Sequence, residues 1–308
     1  MCRWVSYLGS PIVLEDVLVR PDHSLIDQSL LARNLYLPGV GLAHQFRGRE
    51  FPTNGDGFGI AWSGRGGSLG QYRQTTPAWD SQNLRHLAAQ IESGCFLAHV
   101  RAAPGGTISE QNSHPFVQDG WMFCQNGEVG GYPTLRRDLV MAVDPDLFPY
   151  MQGTVDTEVC FFLALTFGLA EDPVRALRRM VGFVEEVRVH HGVQLPFRGT
   201  FCASDGSRLI VARWVSPDSE VLPAPSLFHS SGPVTLHTGE GFNGIADQTE
   251  TLPEDAQLVV SEPLELHWSK RTWHEIPNAT IGVFERGASP VFSTLDPTDI
   301  DEGADKRL

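Results

Sequence analysis

The chain has 308 residues, 41% of them hydrophobic, and a formal net charge of −14 at pH 7. This length allows one large domain or two small ones with a substantial buried core. The negative charge argues against nucleic acid and anionic membranes as partners, because phosphate backbones and acidic lipids repel such a surface. No apolar stretch approaches the length of a membrane span, and the first residues lack the basic and apolar order of a signal sequence.

The cysteines indicate a reducing compartment. Five of them are scattered without a CxxC pair or a metal-finger spacing, at Cys2, Cys95, Cys124, Cys160 and Cys202. An odd, scattered set favours the cytoplasm over a disulfide framework. No cluster of His, Asp and Glu has ligand spacing either, so we expect neither a metal nor another cofactor.

Short strands and two helices are predicted in the first 125 residues. Apolar or alternating runs predict strands over residues 5–8, 58–62, 96–102 and 121–125. Helices are predicted over residues 24–36 and from the N-cap Ser81 through Glu92. We interpret the Gly-rich and polar loop over residues 38–54, which contains Arg47 and Arg49, as a flexible lid.

Two long helices and a series of short strands follow. Residues 156–169 form an apolar helix with its acidic residues in the first turn, and residues 173–190 form a second, with Pro173 at its start. Strands are predicted over residues 201–203, 209–214, 258–260 and 281–284. This order favours an α+β fold with antiparallel sheets and helices on their outer faces. We expect one domain over residues 2–290 and an acidic, disordered tail over residues 291–308.

Cys2 directly follows the initiator methionine in Met-Cys-Arg-Trp. Aminopeptidases remove Met1 when a small residue such as cysteine comes next, which would leave a thiol and a free α-amine on one residue. An α-amine has a pKa of about 7.7–8.0 and can serve as the base for the thiol, the principle of N-terminal-nucleophile catalysis. The alternative, more frequent for a lone cysteine, is a small buried core residue.

Two segments combine a strand end with glycine turns. Arg101 ends a predicted strand and precedes Gly105-Gly106, a position suited to bidentate binding of a carboxylate. A structural salt bridge is the alternative, because buried arginines are usually paired. The segment Asn54-Gly-Asp-Gly-Phe-Gly59 has three glycines in six residues, which indicates close backbone approach or positive φ.

Three further positions have two interpretations each. Asn126 and the N–H of Gly127 follow a predicted strand and suit an oxyanion hole, although Asn-Gly is also the strongest short signal for a type I′ hairpin turn. His114 suits an acid or base, or a hydrogen-bonded structural role. Asp156, at the head of a helix, can cap the helix and can also receive a substrate ammonium group.

Taken in order, these segments resemble the class II glutamine amidotransferase family, a group of N-terminal-nucleophile hydrolases. The matching residues are Cys2-Arg3, Asp56-Gly-Phe-Gly59, His99-Val-Arg101 with Gly106, Asn112-Ser-His-Pro115, Asn126-Gly127 and Asp156-Thr-Glu158. Ser261-Glu-Pro-Leu264, followed by Trp273 and Pro277, is similar to the C-terminal part of the stand-alone branch of this family. That branch includes the γ-glutamyl amidohydrolase of ergothioneine biosynthesis.

The resemblance implies a four-layer α-β-β-α sandwich with two stacked antiparallel sheets. It also implies that Cys2 attacks the γ-amide of glutamine or of a γ-glutamyl compound and releases glutamate through a γ-glutamyl thioester. Asn126 and Gly127 would hold the oxyanion. The substrate would be bound by Arg101 at its α-carboxylate and by Asp156 at its α-ammonium group, with Gly106 and His114 as further contacts.

The chain also departs from the better-known transferases of this family. Those proteins have an aromatic residue and then Thr-His where this chain has Ala102, Pro104 and Gly105, and Arg-Gly where it has Asn54-Gly55. Both changes fit the stand-alone branch, in which any ammonia acceptor is a separate protein. The sequence leaves open self-association, an N-terminal-cysteine acylase acting on other amides, and a non-catalytic regulatory subunit of the same fold.

Overall fold

The computed structural model describes residues 2–32, 53–103, 107–219, 224–238 and 248–298. The described helices are α1 (Glu15–Leu18), α2 (Leu25–Leu30), α3 (Gln82–Ala88), α4 (Tyr132–Met141), α5 (Asp156–Thr166) and α6 (Pro173–His190). The described strands are β1 (Arg3–Val13), β2 (Phe58–Ser63), β3 (Leu69–Gln74), β4 (Glu92–Val100), β5 (Phe116–Gln118), β6 (Trp121–Val129), β7 (Phe197–Ser204), β8 (Arg208–Val215), β9 (Phe228–Ser230), β10 (Thr235–Thr238), β11 (Gln248–Thr251), β12 (Gln257–Val260), β13 (Trp273–Glu275), β14 (Thr280–Glu285) and β15 (Val291–Thr294). Within these ranges no helix is both long and apolar enough to cross a membrane.

Two antiparallel sheets form the centre of the molecule. The first has the strand order β13-β9-β12-β1-β4-β2-β3, and the second has the order β15-β14-β8-β7-β6-β5. In the first sheet the N-terminal strand β1 lies between β4, from the first third of the chain, and β12, from the last third. Strands β10 and β11 form a separate two-stranded ribbon.

Three apolar cores separate four layers. Alternate residues of the first sheet, such as Val5 and Phe96, pack against α1, α2 and α3. The intervening residues, such as Trp4 and Leu97, face the second sheet and meet Cys124 and Val211. The outer face of the second sheet packs against α4, α5 and α6. The predicted α-β-β-α sandwich with two stacked antiparallel sheets is confirmed.

Most predicted elements are present, with shorter helices. Asp172 caps α6, and this helix has the predicted bounds. Helix α2, capped by Ser24, ends at Leu30 because Leu31 has an extended ψ, although the prediction ran to residue 36. Helix α3 is capped by Ser81 as predicted but ends at Ala88, because the chain enters β4 at Glu92.

The predicted disordered tail is wrong over its first residues. Strand β15 pairs with β14, and the ring of Phe292 contacts the rings of Phe284 and His229. Leu295 is buried against the core beneath α6. The acidic composition that suggested disorder begins only at Asp296, after this apolar segment. Residues 299–308, and residues 38–52 of the predicted lid, lie outside the described part of the chain.

Candidate active site

Strand periodicity brings the predicted site residues to one place. Side chains that are two residues apart on a strand share a face. Trp4, Leu97 and Cys124 all lie in the core between the two sheets. By this spacing Cys2 lies on the same face as Trp4, Arg101 on the same face as Leu97, and Asn126 on the same face as Cys124. Arg3 pairs with Val100, so Cys2 and Arg101 lie opposite each other at the same end of strands β1 and β4. The candidate site lies between the sheets at this end of the strands.

The thiol of Cys2 is partly buried against the segment that follows β4. Its Sγ donates to the carbonyl oxygen of Ala102 at 3.4 Å and accepts the N–H of Ala102 at 3.3 Å. The carbonyl oxygen of Cys2 accepts a hydrogen bond from Nη1 of Arg3 at 2.9 Å. Cys2 is thus held at its thiol and at its backbone, and it is not one of the fully buried core cysteines.

The glycine-rich segment supports Arg101. The N–H of Arg101 donates to Gly57 O at 2.8 Å, and the N–H of Asp56 donates to Arg101 O at 3.0 Å. Oδ2 of Asp56 also accepts the N–H of Ala103 at 2.7 Å. Gly57 has φ of +121° and a Cβ there would meet the Gln74 carbonyl, so this approach requires glycine. Sequence analysis had assigned no role to the Asp56 carboxylate.

Arg101 is a largely buried cation close to two of the other predicted residues. Its Nη1 donates to Thr107 O at 3.2 Å. Burial lowers the pKa of Arg101, while the nearby Cys2, Asp56 and Asp156 favour its charged form. Arg101 directly precedes Ala102, whose N–H contacts the Cys2 thiol, so its backbone lies next to that residue. Gly106, the turn residue predicted to assist Arg101, lies outside the described residues.

Asn126 and Gly127 lie inside β6 and do not form a hairpin turn. Gly127 has φ of +123° and pairs with Gly199 of β7. A Cβ on Gly127 would collide with the carbonyl oxygen of Arg198, so only glycine fits. Nδ2 of Asn126 donates to Oγ of Ser261 at 2.7 Å. The alternative interpretation of this dipeptide as a type I′ turn is therefore wrong.

Asp156 begins α5 beside the end of β6. Its Oδ2 accepts the N–H of Val129 at 2.7 Å, and its Oδ1 accepts the N–H of Thr157 at 2.9 Å. Burial raises the pKa of Asp156, and these two backbone donors oppose the shift. Each carboxylate oxygen keeps a further lone pair, so the structural role leaves capacity to bind a cation.

His114 is buried against the backbone of β6. Its Nδ1 contacts Gln125 O at 3.1 Å, and its ring lies 4.2 Å from the ring of His99. Burial, with a contribution from the charge of Arg101, lowers the pKa of His114 to about 3, so its ring is neutral. This position favours the structural interpretation of His114. Its predicted contact with the substrate has no support from its hydrogen bonds or ring contacts.

A buried chain of charged groups behind Cys2 was missed in the sequence. Nε of Arg3 pairs with Oε2 of Glu262 at 2.7 Å, Oε1 of Glu262 contacts Nε2 of His23 at 2.6 Å, and Nδ1 of His23 contacts Oδ2 of Asp27 at 2.9 Å. Burial would raise the pKa of Glu262, but His23 and Arg3 bring it below its ordinary value. The sequence feature that could have indicated this chain is the acidic Glu262 close to the end of an apolar strand. A charge that is buried there needs a partner.

Comparison with known proteins establishes the family. A family model described as glutamine amidotransferases class II matches residues 40–305. The chain therefore belongs to the class II glutamine amidotransferases and is an enzyme of that class. Such enzymes act on small-molecule substrates. The matched region begins after Cys2, so the match does not itself test the nucleophile. No group of three or more potential metal ligands occurs among the described residues.

Individual relatives cover nearly the whole chain. DUG3 of Saccharomyces cerevisiae, a probable glutamine amidotransferase, is 30% identical over 305 residues, covering 91% of this chain and 81% of the yeast protein. The γ-glutamyl-hercynylcysteine sulfoxide hydrolase of Mycolicibacterium smegmatis is 26% identical, covering 85% of this chain and 99% of that protein. A solved glutamine aminotransferase class-II domain protein from Silicibacter pomeroyi is 28% identical with a TM-score of 0.66, covering 96% of this chain and 100% of that one. These relatives do not favour a general acylase or a regulatory subunit.

Proposed function

We propose that this enzyme hydrolyses the γ-amide bond of glutamine or of a γ-glutamyl compound, with Cys2 as the nucleophile. The observation that carries the proposal is the contact of the Cys2 thiol with the N–H of Ala102, the residue directly after Arg101, together with the side chain of Asn126, which reaches the first sheet at Ser261. A thiol alone suits many reactions. A thiol beside a guanidinium group, a carboxylate and an amide donor suits an amino-acid amide in particular.

The proposed reaction begins with removal of Met1. The freed α-amine of Cys2, acting through a water molecule, takes the thiol proton. The thiolate attacks the γ-carbonyl carbon, and the negative charge on the carbonyl oxygen is stabilised by Nδ2 of Asn126 and the N–H of Gly127. The intermediate collapses to a γ-glutamyl thioester as the C–N bond breaks, and the leaving amine takes the proton from the α-ammonium group. Water then hydrolyses the thioester, releasing glutamate and restoring the thiol.

The charges around the thiol match the head group of the substrate. Arg101 would bind the α-carboxylate through two of its guanidinium N–H groups, and Asp156 would bind the α-ammonium group. Both side chains have a backbone partner: Nη1 of Arg101 donates to Thr107 O, and Oδ2 of Asp156 accepts the N–H of Val129. Two opposite charges held in fixed positions bind the α-carboxylate and the α-ammonium group of an amino acid. The side-chain amide of the substrate is then positioned at the thiol.

The two named relatives suggest two leaving groups. The yeast protein is named as a glutamine amidotransferase, for which the leaving group is ammonia, and the mycobacterial protein as a hydrolase of a γ-glutamyl compound. We propose that residues 2–298 form one domain devoted to this hydrolysis, because the first sheet joins β1 to β12 and β13.

Glutamate release measured across glutamine and several γ-glutamyl dipeptides tests this function. We expect Cys2→Ala to abolish release while the protein stays folded, and Cys95→Ala, a matched change in the inter-sheet core, to retain it. Intact-mass measurement should show that Met1 is absent from the active protein. Full activity of Cys2→Ala would refute the mechanism, and active protein that retains Met1 would remove the α-amine from it.

A further inference from the structure

Ser261 connects the strand of the nucleophile to the amide of Asn126. It directly follows β12 and is buried. Its Oγ accepts the N–H of Trp4 at 2.9 Å, donates to Trp4 O at 3.1 Å, and accepts Nδ2–H of Asn126 at 2.7 Å. Trp4 is two residues from Cys2. One hydroxyl therefore touches both the β1 backbone and the side chain proposed to hold the oxyanion.

The contact of Ser261 with Asn126 has two chemically distinct forms. With Nδ2 of Asn126 on Ser261, Oδ1 is a buried acceptor with no hydrogen bond among the described residues. A buried carbonyl without a donor carries a desolvation penalty. The two ends of a carboxamide have nearly the same shape, so rotation by a half-turn places Oδ1 on Ser261 and frees Nδ2. The hydroxyl of Ser261 then donates to Oδ1 in place of Trp4 O, which keeps the N–H of Ser261 as its donor, and Oγ still accepts the N–H of Trp4.

We propose that Ser261 is a positioning residue that holds the Asn126 amide by its oxygen, so that Nδ2 is presented to the oxyanion. This inference rests on the proposed function of the site. The observations that carry it are the 2.7 Å contact and the buried partnerless atom at the other end of the same amide. In the rotated form Nδ2 of Asn126 has no partner among the described residues before the substrate binds. This donor is therefore already oriented for the oxyanion of the transition state, as electrostatic catalysis requires.

The Ser261 hydroxyl can be removed without removing the strand pairing. The backbone N–H of Ser261 donates to Trp4 O at 3.0 Å, and this bond does not involve the side chain. Ser261→Ala therefore leaves β12 attached to β1 and removes the contact with Asn126. Ser6 offers a matched control, because it is a buried serine whose Oγ donates across the same pair of strands, to Val259 O at 3.2 Å.

A double-mutant cycle on kcat for glutamate release distinguishes positioning from a general structural role. We expect Asn126→Ala to lower kcat about 10²- to 10³-fold, the usual loss for one oxyanion donor. Ser261→Ala should lower kcat about 10- to 100-fold with KM changed less than about threefold, because the ground state does not need the oriented donor. In the Asn126→Ala background, Ser261→Ala should add less than about threefold.

Two further variants keep the test decisive. Ser6→Ala should leave kcat within about threefold of the wild type. Ser261→Cys, which is close in size but a weak donor, should give a kcat between those of the wild type and Ser261→Ala, and it serves if the alanine variant does not fold. The proposal is overturned if Ser261→Ala and Ser261→Cys keep full kcat while Asn126→Ala loses it, or if the losses multiply in the double variant. Full activity of Cys2→Ala would instead refute the underlying function.

Discussion

The buried histidine His23, linked through Glu262 to Arg3, should make the stability of this protein depend on pH. The His23 side chain is fully buried, and its two ring nitrogens contact Asp27 and Glu262. Burial alone would lower the pKa of His23, but the two carboxylates raise it from 6.5 to about 9. The ring is therefore protonated in the folded protein at neutral pH, with the charge of Arg3 on the far side of Glu262.

The size of the effect follows from linkage. A pKa raised from 6.5 to about 9 corresponds to about 3 kcal/mol of unfolding free energy, at about 1.36 kcal/mol for each pKa unit. Because the folded-state pKa is the higher one, this stabilisation is fully present below pH 6.5. It is lost as the pH rises through about 9, where the folded protein releases the proton.

Urea unfolding of the wild type and of His23→Gln at several pH values between 6 and 10 measures this contribution. Taking the difference between the two proteins cancels the titration of the other groups. We expect the difference in unfolding free energy to be largest at pH 6 and to shrink by about 3 kcal/mol by pH 10. His86→Gln, at an exposed position on α3, should show no such change. A difference that stays constant to within about 0.5 kcal/mol would refute a charged His23.

Three substitutions at the site and one control, Gly66→Ala, separate effects on binding from effects on packing. Gly127→Ala should lower the free energy of unfolding by about 3 kcal/mol or more in thermal melts, because it combines positive φ with a collision at the Arg198 carbonyl. Gly66→Ala has positive φ but open space around it, and should cost only about 1 kcal/mol. Arg101→Lys should raise KM for glutamine about 10- to 100-fold with little change in kcat, since lysine cannot bind a carboxylate bidentately; an unchanged KM would contradict that role. Asp156→Asn should raise KM about tenfold or more for glutamine but not for glutaramate, which lacks the α-amine, and equal effects on both would assign Asp156 to structure alone.

Local patterns were sufficient to predict most strands and the residues at their ends. The apolar character of residues 5–8, 58–62 and 96–102 correctly indicated strands. A strand of a sheet that lies between two cores has apolar side chains on both faces. Asn126-Gly127 was ambiguous, since the dipeptide is the common hairpin signal. What places it inside β6 is Gly199 on the neighbouring strand, which leaves room for the close backbone approach.

Contacts between distant segments were beyond local patterns. Glu262 pairs with Arg3 across 259 residues, and Ser261 contacts Asn126 across 135. Nothing in the local sequence of β12 indicates that it lies beside β1, because strand order is decided by the packing of the whole sheet. The tail prediction failed for a related reason. Composition described residues 296–308 correctly as acidic but gave no weight to Val291 and Phe292, whose partner strand lies earlier in the chain.

The arrangement of supports around Cys2 explains how a partly buried thiol can be held without losing its reactivity. Each contact acts on the backbone or on a neighbour: Arg3 on the Cys2 carbonyl, Asp56 on the segment that carries Ala102, and Ser261 on Trp4. Ala102 contacts the sulfur through a long pair of hydrogen bonds, one from its N–H and one to its carbonyl oxygen. The buried ion pairs of Glu262 with Arg3 and His23 thus begin at Arg3, one residue from Cys2. There they fix the backbone geometry around Cys2.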